Sequence, residues 1–98
     1  MTKADALARL RAREADLRAM GIERLSIFGS TARGEERADS DVDLAAKLRR
    51  DMRIGLVEYL DLEERLAELL GAKVDLVSEP ARKPRLRAQI DQDRVHVL

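Results

Sequence analysis

Eight residues near the middle of the chain, Asp41 to Leu48 (DVDLAAKL), alternate apolar and polar or small positions with a period of two, which restricts them to an extended strand. Side chains along a strand point alternately to its two faces. Val42, Leu44, Ala46 and Leu48 therefore share one face, and Asp41, Asp43, Ala45 and Lys47 share the other. An apolar strand face must be covered by another layer, and two carboxylates on the opposite face must stay near solvent or a cation.

The flanking segments supply the layers. Residues 3 to 20 place Leu7, Leu10, Leu17 and Met20 on one face among arginines and acids, with Gly21 as a stop, and predict one helix. Residues 24 to 28 (RLSIF) read as a short strand ending at Gly29. STARGEE then predicts a short helix starting at Ser30 and ended by Gly34, with ERADS as a loop. Residues 55 to 71 predict a leucine-rich helix closed by Gly71. Its apolar surface, carrying Leu56, Leu60, Leu62, Leu66, Leu69 and Leu70, covers about half the circumference, wider than the stripe of roughly 100° that a sheet-facing helix needs. The excess implies either deeper burial or a partner surface. KVDLV (residues 73 to 77) predicts a third strand with Val74 and Leu76 inside and Asp75 outside. Pro84 suits the first turn of a last helix carrying Leu86 and Ile90, and residues 95 to 98 suit a short edge strand. The expected fold class is α/β (α+β), a single domain over residues 1 to 98 with helices packed on a small mixed sheet.

Composition removes several function classes. With 19 basic and 19 acidic residues, the chain lacks the positive balance of a bulk nucleic-acid or membrane-surface binder. Phe28 and Tyr59 are the only aromatics, so no platform for stacking bare bases exists, and direct nucleic-acid binding is not expected. The absence of cysteine removes disulfides, thiolate metal sites and cysteine nucleophiles. No apolar run approaches the roughly 20 residues of a membrane span, and the charged N-terminus has no signal-peptide core, so a soluble, cytoplasmic protein is expected. A Walker lysine loop, a dinucleotide Gly-x-Gly-x-x-Gly, zinc-spaced histidines and a hydrolase triad are all missing.

One constellation remains. In GSTARGEERADSDVD, Gly29 and Ser30 leave a strand, ten residues intervene, and the Asp41-x-Asp43 pair enters the next strand. The segment resembles the signature of the DNA polymerase beta-like nucleotidyltransferase superfamily. Its wording, Gly-Ser-x-Ala-Arg-Gly followed by Ser-Asp-Val-Asp-Leu, is most similar to the minimal nucleotidyltransferases, and Asp75 falls where that family has its third carboxylate. The resemblance implies a polymerase beta palm-like domain.

Each position also has a physical reason. Gly29 lacks a Cβ, so backbone amides can approach a phosphate closely. Ser30 can donate its hydroxyl to a phosphate oxygen, and the start of the following helix favours the same anion. Asp41 and Asp43 stand about 6 to 7 Å apart at their bases, a separation that suits hard-oxygen binding of magnesium, one ion or two, alongside substrate phosphates. Asp75 can complete the site by holding metal near the acceptor and accepting its proton. Arg33 is placed to reach a phosphate oxygen, or else to pair with Glu35 or Glu36 on the surface. His96, Tyr59 and the basic run Arg82, Lys83, Arg85 and Arg87 read as structural or solvated groups.

The motif describes only the donor half of a reaction, and so short a chain leaves no room for a domain to hold an acceptor. The family resemblance supplies an expectation: ATP as donor, and as partner a small HEPN-domain ribonuclease toxin that receives AMP on a tyrosine, the chain acting as antitoxin. The alternatives are an antitoxin that neutralises by binding alone and, less suited to this length, a transferase acting on a small molecule of the aminoglycoside type.

Overall fold

The computed structural model describes residues 1–98. In chain order the elements are α1 (Lys3–Arg11), α2 (Glu14–Ala19), β1 (Ile22–Phe28), α3 (Gly29–Arg33), β2 (Val42–Leu48), α4 (Leu56–Leu70), β3 (Val74–Ser78), α5 (Pro84–Asp93) and β4 (Val95–His96). The strands form one mixed sheet in the order β3-β2-β1-β4. β1 runs antiparallel to β2 and β4, and β2 and β3 are parallel, joined through α4. This is the small mixed sheet with packed helices that the alternating segments predict.

Register explains the two faces. Ile27, Leu44 and Leu76 line up across β1, β2 and β3 as one row, and Phe28, Asp43 and Asp75 line up as the next. Neighbouring rows face opposite ways. The Leu44 face packs against α1, α2 and α4 in the main core, where Leu10, Leu17, Leu25, Ile27, Leu44, Leu66 and Leu70 are fully buried. The other face is half covered: α5 lays Ile90 over Phe28 and Ala45, with Ala81 beside them. Beyond that small cluster, toward the start of β2 and β3, the sheet face is open.

One expectation fails at the N-terminus. Residues 3 to 20 form two helices, broken at Ala12 and Arg13, where Arg13 leaves helical geometry with φ −116° and ψ 30°. The break lets α1 lie along α4 while α2 turns onto β1. No glycine or proline marks it, and the seven-residue spacing of Leu10 and Leu17 suits a straight helix equally well. Elsewhere, boundaries move by a residue or two: β1 begins at Ile22, α3 already at Gly29, β2 at Val42 and β3 at Val74.

The sheet margins are closed in two ways. On the outer side of β3, the Leu76 N–H donates to Glu63 Oε2 at 3.0 Å, and the Leu76 carbonyl accepts the Tyr59 hydroxyl, both partners coming from α4. At the opposite margin β4 is only two residues long. The first occupies the outward backbone groups at the middle of β3 and the second leaves a very short edge, so both limit what another strand could join.

The end of α5 is anchored by Arg94. Its guanidinium meets both oxygens of Glu79 at 2.9 and 2.5 Å, and also reaches the hydroxyl of buried Ser26 at 2.9 Å. Both charged side chains are about four-fifths buried, with 20 and 19% exposure, so removing Glu79 leaves Arg94 with only the exposed Asp91 as a carboxylate partner, at 3.2 Å. Glu79→Ala is therefore expected to cost about 2 to 3 kcal/mol of stability in urea denaturation, below the range for a fully buried pair because some solvent remains. A change under 0.5 kcal/mol would show that the pair is a surface contact.

Candidate active site

β1 ends where the main chain turns sharply into α3. Gly29 makes that turn with φ +74°, a left-handed conformation, and a Cβ there would overlap Asp43 Oδ2 and lie 2.9 Å from Asp43 Cγ. The turn and the carboxylate are thus packed together, which explains why glycine is required. Ser30 follows, half-buried, and Thr31 and Ala32 are buried beneath it. α3 ends after five residues at Gly34, whose φ is also +74° but whose Cβ would meet nothing.

Asp43 and Asp75 are paired in register on neighbouring parallel strands, so their backbones stand about 5 Å apart. Asp41 lies two residues before Asp43, just ahead of β2. Asp41 and Asp75 are exposed and Asp43 is half-buried. Asp43 and Asp75 thus stand side by side at one open end of the sheet, with Gly29 packed against Asp43 and Asp41 close enough for its charge to act on both. Burial, together with repulsion from Asp75 and Asp41, raises the Asp43 carboxyl to about 6, while nearby Arg33 pulls the other way. Asp75 is likewise raised, by burial first and then by Glu63 and Asp41. Strand alternation identifies the aspartates, but Glu63 comes into play only through the packing of α4 on β3.

No three acidic side chains form a ready-made metal cage. The donors are hard carboxylate oxygens, with no cysteine and the one histidine, His96, exposed on β4 on a different strand. Such a set fits a divalent cation that takes one or two carboxylates and completes its shell with phosphate oxygens and water, as magnesium does. The mutual repulsion at Asp43 is what a cation would relieve. A cavity of about 490 Å³ opens beside Asp41, lined by Met1, Arg9, Asp39, Ser40 and Lys73 among others, but Gly29, Ser30, Arg33, Asp43 and Asp75 are not in its lining, so it lies apart from the carboxylate site.

Arg33 satisfies one surface alternative and adds a partner that sequence reading misses. It donates to exposed Glu35 at 3.1 Å and, through Nη1, to Asp93 at 2.6 Å. Glu36 is not its partner. Asp93 also accepts the Gly29 N–H at 3.3 Å. In QIDQD, Asp93 looks like one more polar helix residue; only the fold brings α5 to α3. The remaining groups behave as expected: Tyr59 is half-buried, His96 is exposed on β4, and Arg82, Lys83 and Arg85 are solvated, while Arg87 binds the Ala81 carbonyl.

Residues 17–98 match the family model described as polymerase beta, nucleotidyltransferase. The protein adenylyltransferase MntA of Thermococcus cleftensis is 35% identical over 77 residues, spanning 79% of this chain and 76% of the relative. Among solved structures, a candidate minimal nucleotidyltransferase superposes with a TM-score of 0.77 at 37% identity, covering 97% of this chain and 95% of the other. The fold is also shared with a chain from a structure described as tri-AMPylated Shewanella oneidensis HEPN toxin in complex with MNT antitoxin, with a TM-score of 0.68 at 19% identity over 94% of this chain and 71% of the other.

Proposed function

Because the chain belongs to the polymerase beta-type nucleotidyltransferase family, we propose that it transfers AMP from ATP to a tyrosine hydroxyl of a HEPN-domain toxin, and so acts as that toxin's antitoxin. The observation that carries the reading is the register that sets Asp43 beside Asp75, with Gly29 packed against Asp43. The adenylyltransferase name of the Thermococcus relative supports AMP as the transferred group. The AMPylated toxin found with the Shewanella antitoxin supports the partner.

The chain's own residues divide the work. The Gly29 turn and the Ser30 hydroxyl hold the outer phosphates, with Arg33 beside them. Asp41 and Asp43 hold magnesium, which when bound neutralises the triphosphate and favours in-line displacement at its α phosphorus. Asp75 orients the incoming hydroxyl and receives its proton. The new bond joins the acceptor oxygen to the α phosphorus. The α–β bridging P–O bond breaks, and pyrophosphate leaves with the electron pair. Closeness of the reacting atoms supplies much of the rate gain, and this depends on the partner docking over the open sheet face.

The test combines the purified chain with its cognate HEPN protein, magnesium and ATP labelled on the α phosphate. Label is expected on a tyrosine of the partner. A stable complex without label transfer would leave the other reading, neutralisation by binding alone. That reading draws on the solvent-exposed face of α4, where Leu56, Val57 and Leu60 are 73, 77 and 53% exposed. It requires neutralisation to survive Asp41→Asn combined with Asp43→Asn.

A further inference from the structure

We propose that Asp93, the last residue of α5, is a positioning residue for the donor nucleotide, holding Arg33 and the Gly29 turn in the geometry that receives the triphosphate. The inference rests on the nucleotide-transfer reading above and adds to it a residue far away in sequence.

The Asp93 side chain is only 6% exposed, which is costly for a carboxylate unless its partners compensate. Its Oδ2 atom accepts two hydrogen bonds, from Arg33 Nη1 at 2.6 Å and from the Gly29 N–H at 3.3 Å. The two donors bracket Ser30 in the same short turn. Asp93 is itself presented from a fixed support, because the adjacent Arg94 is bound to Glu79 and to Ser26 of β1. Paired charges at consecutive positions thus tie the end of α5 to two places: Arg94 to the middle of the sheet and Asp93 to the strand exit.

The consequence falls on Arg33. Its Nε is bound to Glu35 and its Nη1 to Asp93, while Nη2 makes no hydrogen bond within the chain. A free arginine side chain carries substantial rotamer entropy. Held at two nitrogens, Arg33 has already lost much of that freedom, and its guanidinium keeps a donor group for a phosphate oxygen. The Glu35 contact, 62% exposed, is of the kind that contributes little. The buried carboxylate sets the orientation. Without it, Arg33 and the turn must be ordered when the nucleotide binds, and affinity falls accordingly.

The experiment measures binding of a fluorescent ATP analogue (mant-ATP) with magnesium, alongside steady-state label transfer to the partner and thermal unfolding. Asp93→Asn is expected to weaken binding and raise the KM for ATP about tenfold, with kcat changed less than about twofold. Arg33→Gln should give the same loss, the double variant no more than either alone, and Glu35→Gln none. Asp93→Glu should recover part of the affinity. If Asp93→Asn does not fold, Arg33→Gln breaks the same pair from its exposed end and must still show the loss in KM and not in kcat. Losses that multiply in the double variant, or wild-type nucleotide affinity in a thermally weakened Asp93→Asn, would overturn the proposal and leave the contact purely structural. Failure of the wild type to bind the analogue or to transfer label would instead bring down the underlying reading, and this inference with it.

Discussion

Asp43→Asn is expected to move activity and stability in opposite directions. Transfer of AMP should fall on the order of 10³-fold, because one of the carboxylates proposed to hold magnesium becomes a neutral amide. The metal-free protein should meanwhile become more stable. Asp43 titrates at about 6 in the folded state, above its ordinary 3.8, so the folded form holds more protons than the unfolded form between those values. Stability from this group is therefore present at low pH and is lost as pH rises through about 6. Above that, the ionised carboxylate is a standing penalty, which asparagine removes. Since the side chain is only half-buried, solvent screening reduces the penalty to about 1 kcal/mol, or a rise of some 4 to 8 °C in Tm at pH 8. At pH 4 the two proteins should unfold at nearly the same temperature. Thermal melts in EDTA at the two pH values check the sign, and an Asn variant that melts lower than wild type at pH 8 would contradict it.

Gly29→Ala carries the second large effect. An alanine at φ +74° costs about 1 to 2 kcal/mol from backbone strain alone. Its methyl group would also overlap the Asp43 carboxylate, and Asp43 is fixed on the central strand β2. One of the two must shift, so the turn proposed to hold phosphate and the Asp43 carboxylate are both disturbed. The expected outcome is a loss of roughly 3 kcal/mol and at least about 10²-fold in transfer. Gly34→Ala is the matched control: it has the same φ with open space around it, so it should show the strain and not the loss of activity. Equal effects on transfer from the two variants would mean that contact with Asp43 is immaterial.

Much of this site is legible in the chain because its parts are local. The period of two through β2 fixes which way Asp43 points, while Asp41 lies just ahead of the strand. The same alternation in KVDLV turns Asp75 to the side opposite Val74 and Leu76, and register then sets it beside Asp43. What is not legible depends on contacts between distant segments. Arg33 and Asp93 are 60 positions apart, and nothing in the polar stretch around Asp93 distinguishes it from a solvated helix face. Glu63 is hidden for the same reason: on α4 it resembles the exposed acids around it, yet it caps the edge of β3 and repels Asp75. The width of the apolar surface on α4 signals an excess without locating it. Packing divides that surface: Leu62, Leu66 and Leu70 fill the core, and Leu56 and Leu60 stay outside. The break between α1 and α2 has no local marker at all.

The margins of the sheet have a bearing on supply. With Tyr59 and Glu63 holding the outward backbone groups at the middle of β3 and β4 cut to two residues, copies of this chain have limited edge backbone with which to zip together. Under the proposed antitoxin reading, the protein is useful when it outnumbers its target. Short or occupied sheet edges remove one common route, backbone pairing, by which surplus copies would be lost to aggregation.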